Sequence, residues 1–472
     1  MVQGVAIEDG KIVNLNPATG KEISRVPCSS LDGVDSMVKK AAAAQKPWSL
    51  MPLKDRIQLL RQGLQAIGAQ SEKLALLIVE EMGKPITEAR EEMQFAVDKA
   101  DYLGILEASL QPIHHGANSV VVRQPLGVVT VLSPWNFPCD EILLLVLPAL
   151  GSGNSVIVKP SEVTPETGAL TVNTLASVLP DGVLQLAQGD GAVGAALVQH
   201  PDVAMIGMTG SSATGKRILE SAAPQLKRFV LELGGKDPMV VFSDSDVKKA
   251  ATDAVSYSLS NSGQVCCSIE RVYVAESIYD DFCEAAKEAA TSFKVGNGMD
   301  PDVKVGPLVS RMQRDKVQEH VNDAVQKGAR LLYQSEFPGG ETGWFHPVTV
   351  LSDVKDGMKI YREETFGPVV CLSKFDDTES SAVQLANDSE YGLASSVYTT
   401  DLEKAARVAG QIDAGQVGIN CYALDNMDVA CPWVGHKQSG FGYHSGKEGF
   451  HNFSIPKTLV YSGSAPSDDP SS

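Results

Sequence analysis

Between residues 127 and 233 the chain alternates short β-branched runs with longer amphipathic ones, and that rhythm restricts its fold more than any other feature. Residues 127–132 (GVVTVL), 155–159 (SVIVK), 203–208 and 229–233 read as buried strands, while 164–179 and 213–223 read as helices. Strands separated by helices predict a parallel sheet with helices on both faces, an α/β architecture. Residues 53–110 are mostly helical in pattern, with an interruption at 83–85. Further on, 239–242, 271–274 and 369–373 restart the alternation, which suggests a second α/β domain. Two extended runs, 119–123 and 457–461, are left over at distant points and pair either with each other or with another subunit.

A chain of 472 residues has room for about three domains. Its 40 basic residues stand against 58 acidic ones, and a net charge of −18 argues against sequence-independent binding to nucleic acid or to an anionic membrane. A hydrophobic share of 43% can fill a large core. The apolar run 142–147 ends at Pro148, too short to span a bilayer. No secretory or transit leader is visible at the amino end. Eight cysteines without a Cys-x-x-Cys pair suit a reducing compartment, so a cytoplasmic protein is expected.

Four short motifs carry chemistry. Gly210-Ser-Ser-Ala-Thr-Gly215-Lys216 nearly spells a phosphate loop, but Arg217 stands where the Mg²⁺-holding hydroxyl belongs, so an ATPase is rejected. What remains is a strand–turn–helix whose amides face a phosphate, or an ordinary βα turn. No Gly-x-Gly-x-x-Gly occurs, which weakens a standard dinucleotide fold. Gly263-Gln-Val-Cys266-Cys267 holds the best nucleophile candidate, Cys266, although a lone cysteine also serves as a small buried apolar residue. Glu232 lies in an apolar strand ending in Gly234-Gly235, where a carboxylate is either paired or kept for acid–base work. Pro134-Trp-Asn136-Phe-Pro138 fixes an amide side chain that either donates to an oxyanion or simply packs a rigid turn. The histidines lack metal-site spacing, so no metal is expected.

Taken in order, eight segments resemble the aldehyde dehydrogenase superfamily over almost the whole chain. They are Asn16–Gly20, Pro134–Pro138, Lys159–Glu162, Thr209–Ser211, Glu232–Lys236, Gly263–Cys266, Glu363–Pro368 and Lys437–Gly440. The resemblance implies an α/β fold of three parts. A Rossmann-like NAD-binding domain would comprise 1–106 and 126–234, and an α/β catalytic domain 235–436. A β oligomerisation element with the carboxy-terminal tail would comprise 107–125 and 437–472. Such relatives are homodimers or homotetramers, and their cofactor fold lacks the glycine fingerprint.

The same resemblance assigns roles. Cys266 would attack the aldehyde carbon, Asn136 would stabilise the oxyanion, and Glu232 would activate the water that hydrolyses the thioester. NAD, with NADP possible, would be held by Ser133, Pro134, Trp135, Lys159, Ser161, Glu162, Gly191, Thr209, Gly210, Ser211, Gly215, Leu233, Glu364 and Phe366. Glu162 would accept the ribose hydroxyls and disfavour a 2′-phosphate. Phe137, Glu141 and Trp433 would touch the aldehyde, and an acid beside an aromatic suggests a cationic aminoaldehyde, unless Asp140 and Glu141 only cap the following helix.

Two segments depart from the commonest pattern. Ser268-Ile-Glu270-Arg271 follows the nucleophile, and Gly442-Tyr-His444-Ser445 replaces Gly-Arg-Glu. His444 would either replace the missing glutamate as a base or leave that relay unused. The alternatives are a CoA-acylating semialdehyde dehydrogenase, against which Glu232 speaks, and a catalytically retired structural or binding member, against which the intact Cys266, Glu232 and Asn136 speak.

Overall fold

The computed structural model describes residues 4–336 and 342–466. Its first sheet is built from the runs that open the sequence argument. In spatial order the strands are Leu184–Leu186, Ser155–Lys159, Val128–Leu132, Val203–Thr209 and Arg228–Glu232, all parallel, with Gly440–Phe441 added antiparallel at the edge. Ser155–Lys159 is buried at every position, because helices cover both faces and leave no polar side to alternate with. Numbered along the chain, the five parallel strands run 3-2-1-4-5, which is the Rossmann order. The order reverses between Val128–Leu132 and Val203–Thr209, so a crevice opens beyond their carboxyl ends.

The helices follow the expected periods with shifted ends. Pro165–Ala176 stops short of residue 179, and Ser212–Ala222 starts one position earlier than 213. The region 53–110 is four helices, Leu53–Gly68, Ser71–Met82, Ile86–Val97 and Ala100–Ser109. Gly83, at φ 84°, makes the break that its glycine and Pro85 signal. The break after Gly68 has a glycine but no proline and that after Val97 has neither, and both go unforeseen. Asp140–Gly151, which contains the apolar run, is a helix buried from Ile142 through Leu143 and from Leu145 through Gly151.

The restart of strand–helix alternation is a second sheet of seven strands. Arg330–Gln334, Thr349–Ser352, Val369–Phe375, Ile269–Ala275, Asp237–Val241, Ala394–Tyr398 and Gln416–Ile419 lie side by side, and only the first pairs antiparallel. Asp237–Val241 begins just after Glu232, so the carboxyl end of one sheet feeds the amino end of the other through Gly234-Gly235.

The two leftover extended runs pair with each other. Ser454–Val460 runs antiparallel to Ser119–Pro125, with Val460 opposite Ser119 and Ser454 opposite Pro125, and Ile113–His115 completes the sheet. The segment between 440 and 454 is woven into the first core: Phe450 and Phe453 are fully buried there, and the Phe450 ring meets Tyr102 edge-on at 4.7 Å.

Candidate active site

The carboxyl ends of the first sheet present one residue set after another. Ser133, Pro134, Trp135, Asn136 and Phe137 follow Leu132; Ser161 and Glu162 follow Lys159; Gly210 and Ser211 follow Thr209; Leu233 follows Glu232. Parallel register places Thr209 directly opposite Glu232, so their side chains share a face. Lys159 reaches Glu162 Oε2 at 3.2 Å, while Glu162 Oε1 and Ser133 Oγ are buried without a partner among the described residues. A cavity of about 700 Å³ has Glu162, Val163, Lys316 and Trp344 in its wall.

Two helices start at this edge. Gly191 opens Gly191–Gln199, and a Cβ built on it would meet nothing within 4 Å. Ser211 caps Ser212–Ala222 by accepting from the Thr214 amide. Gly215 sits where a Cβ would come 2.9 Å from Leu233, so its role in packing is close approach of that helix to the strand end.

Across the crevice, Asn261, Ser262 and Gly263 take three successive positive φ values, 49°, 58° and 74°, before the cysteines. A Cβ on Gly263 would lie 2.1 Å from the Gly367 carbonyl oxygen, so glycine is required there. Two non-glycine residues in the left-handed region cost of order 1–3 kcal/mol each, and such strain persists only where surroundings impose it. The surroundings are polar and buried: the Asn261 amide nitrogen Nδ2 donates to the Asn136 carbonyl at 3.1 Å and to the Gln264 carbonyl at 3.2 Å. Asn136 Nδ2 donates to the same Gln264 carbonyl at 3.1 Å, which ties it to the cysteine loop. Phe137 lies under the Lys84 ammonium, 3.7 Å from the ring centroid.

Cys266 and Glu232 face each other. Trp433 Nε1 donates to Glu232 Oε1 at 3.3 Å, and Oε2 is buried without a partner among the described residues. Burial pushes the Glu232 carboxyl up to about 7, against the pull of Cys266 and Trp433. Interaction with the adjacent Cys267 thiol, then burial and the Glu232 charge, hold the half-buried Cys266 well above its ordinary value. Cys267 is fully buried, with its sulfur 2.9 Å from the Tyr422 hydroxyl.

Glu141 stands in the first turn of its helix and accepts from Thr209 Oγ1 at 2.9 Å. Burial and the neighbouring Glu232 raise its carboxyl well above the usual range. Asp140 instead turns to Lys99, at 2.8 Å. His444 is buried and held near 4 by desolvation, so at neutral pH it carries no charge.

The second sheet contributes a clamp. Glu364 Oε1 accepts from the Gly235 amide at 3.1 Å, and burial pushes its carboxyl up to about 7. The Phe366 ring meets Trp135 edge-on at 5.5 Å. Gly234 and Gly235 are the saddle between them: a Cβ on the first would come 2.8 Å from the Glu364 carboxylate, and on the second 2.2 Å from the Cys266 carbonyl. Asn261 and Gln313 are given no role by the sequence patterns, since each acts through a partner distant along the chain. Among the described residues no cluster of His, Cys, Asp or Glu could hold a metal ion.

Residues 5–459 match the model of the aldehyde dehydrogenase family. The chain is 36% identical over 457 residues to a probable succinate-semialdehyde dehydrogenase [NADP(+)] of Sinorhizobium fredii, covering 95% of this chain and 92% of that one. It is 36% identical to a betaine aldehyde dehydrogenase of the same organism, over 98% and 96% of the two chains. Among solved structures, an aldehyde dehydrogenase C variant from Pseudomonas syringae, in complex with NAD+ and octanal, superposes with a TM-score of 0.91. The two are 34% identical, over 98% of this chain and 95% of that one.

Proposed function

Because the chain belongs to the aldehyde dehydrogenase family and is an aldehyde-oxidising enzyme, we propose that it works through Cys266, Glu232 and Asn136 with NAD as the preferred acceptor. The observation that carries this reading is the facing pair of Cys266 and Glu232 at the junction of the two sheets.

The residues present suit a nicotinamide dinucleotide. Glu162 Oε1 and Ser133 Oγ are buried polar atoms without protein partners among the described residues, at the carboxyl edge of a Rossmann-ordered sheet, and two helix amino ends open beside them. Glu162, Lys159 and Ser161 would hold the adenosine ribose, the Gly210–Ser211 turn the pyrophosphate, and Glu364, Phe366 and Trp135 the nicotinamide side. When bound, the nicotinamide supplies the acceptor for the hydride of the aldehyde carbon.

The protein's own groups account for the rest. Cys266 forms the C–S bond to the aldehyde carbon once its thiol proton has passed to solvent, and Glu232 is kept for the water of the second half. Asn136 keeps one amide hydrogen for the oxygen that becomes negative, while its other is spent on Gln264. After oxidation the acyl group is a thioester on Cys266. Glu232 takes a proton from water, the water oxygen bonds the acyl carbon, the C–S bond breaks, and the acid leaves.

NAD is expected to be used with a kcat/KM at least about tenfold above that of NADP, since a carboxylate that accepts two ribose hydroxyls repels a phosphate. Initial rates with both cofactors measure this, and Glu162→Gln should narrow the ratio. An NADP preference in the unaltered enzyme would overturn the role given to Glu162.

On the aldehyde side, Trp433 and Glu141 favour a cationic or neutral substrate over one bearing a second carboxylate, while Phe137, whose ring already carries the Lys84 ammonium, serves as an apolar wall. Glu141→Met should lower the turnover ratio of a short aminoaldehyde to hexanal by about fivefold, roughly 1 kcal/mol, since a bound cation would draw out the ionised carboxylate that burial beside Glu232 disfavours. An unchanged ratio would leave Glu141 with Thr209 alone.

The working division is proposed as 1–106 with 126–234 for NAD, 235–436 for catalysis, and 107–125 with 437–472 for oligomerisation. Exposed Ile455 and Val460 on the outer strand of the third sheet support a homodimer or homotetramer. Among the described residues no helix is long and apolar enough to cross a membrane, and the cytoplasm is the proposed compartment.

A further inference from the structure

The short segment Ser268-Ile-Glu270-Arg271, which departs from the usual pattern after the nucleophile, contains a buried carboxylate with no place in the chemistry above. Glu270 is the second residue of Ile269–Ala275 and is 6% exposed. Each group that hydrogen-bonds to it is a donor. Lys236, itself buried, brings its ammonium to Oε2. The Thr365 amide donates to Oε1 at 3.1 Å and to Oε2 at 2.8 Å, and the Phe366 amide to Oε1 at 2.9 Å. Only an acceptor-only group satisfies such a set, and an ionised carboxylate is that group.

The other side of the same two peptides is also held. Gln313 Nε2 donates to the carbonyl oxygens of Thr365 and Phe366, both at 2.9 Å. Phe366 has φ 58°, a left-handed conformation that a bulky residue rarely adopts unless it is imposed. Here the imposition is visible: amides captured by Glu270, carbonyls by Gln313. The consequence is where the flanking side chains go, with Glu364 against the Gly235 amide and Phe366 against Trp135.

We propose that Glu270 is a positioning residue for the nicotinamide end of the cofactor, holding the 364–366 loop so that Glu364 and Phe366 stand ready before the nucleotide arrives. The inference rests on the proposed role of those two residues in cofactor binding. The charge and hydrogen bond of Lys236, with the two amides, keep the Glu270 carboxyl below its ordinary value despite burial, so it stays an acceptor through the neutral range. A preformed clamp spares the nucleotide the ordering of that loop, which appears as affinity.

The test is Glu270→Gln in the full chain, since glutamine turns two N–H donors toward groups that already donate. Titration calorimetry with NAD alone should show a Kd raised about tenfold, and steady-state kinetics a matching rise in KM for NAD with kcat within about threefold. Hydrolysis of p-nitrophenyl acetate without NAD calls on Cys266 and Glu232 but not on the clamp, and should be unchanged. Glu270→Asp keeps the charge for Lys236 but draws back from the amides; it should show a smaller rise and serves if the glutamine variant does not fold. Wild-type NAD affinity in both variants would overturn the proposal, as would loss of ester hydrolysis in step with NAD binding. Failure of the wild type itself to bind NAD would instead remove the cofactor reading and the inference with it.

Discussion

Cys266→Ala should abolish NADH formation from any aldehyde, with kcat lowered by at least about 10⁴-fold, while NAD still binds with its wild-type affinity. The size of the effect follows from what remains. A covalent route splits one difficult step into two, and no other side chain described in the crevice can open that route. Cys267 is adjacent in sequence, yet it is fully buried and its sulfur is engaged by the Tyr422 hydroxyl. The left-handed turn through Asn261, Ser262 and Gly263 aims Cys266, not its neighbour, toward Glu232. Cys267→Ala is therefore expected to retain the full stoichiometry of aldehyde-dependent NADH formation. The measurement is absorbance at 340 nm for both variants, with NAD binding followed separately. Turnover by Cys266→Ala within tenfold of wild type would rule out the thioester route. Loss of NAD binding along with turnover would mean that the substitution had disturbed the crevice as a whole.

What could be read from the sequence, and what could not, divides along a physical line. Residues 127–132 and 155–159 announce themselves as central strands because burial on both faces demands an unbroken β-branched run. Leu184–Leu186 is too short to show a period, and the third strand of the sheet is missed. The pairing of Ser119–Pro125 with Ser454–Val460 is set by tertiary position, which two extended runs far apart in sequence do not encode locally. In the site, Gly234-Gly235 and Gly263 are legible because only glycine tolerates the approach of Glu364, Cys266 and Gly367. The residues that hold the site are another matter. Asn261 steadies Asn136 from 125 positions away, and Gln313 steadies Thr365 from 52. Trp433 reaches Glu232 across 201 positions. A buried donor or acceptor finds its partner only after the chain has folded, and no spacing rule records it.

Glu232→Gln should separate the two halves of the reaction. The first turnover, through attack and oxidation, should still release about one NADH per site in a burst, while steady-state kcat falls by about 10²–10⁴-fold because the thioester waits for a base. The side-chain oxygen of the substituted amide can still accept from Trp433, so the fold around it is not at stake. The pH dependence of the unaltered enzyme tests the same assignment from the other side. Burial lifts the Glu232 carboxyl to about 7. As a base it works only when ionised, so kcat should fall about tenfold per pH unit well below 7 and level off above it. An ordinary exposed glutamate would place that midpoint near 4.3, outside the range in which most enzymes remain folded and active. In Glu232→Gln the slope should vanish from the residual rate. A burst that disappears together with steady-state turnover would assign Glu232 to the Cys266 proton instead of to the water, and an unshifted pH midpoint in the variant would remove it from the chemistry altogether.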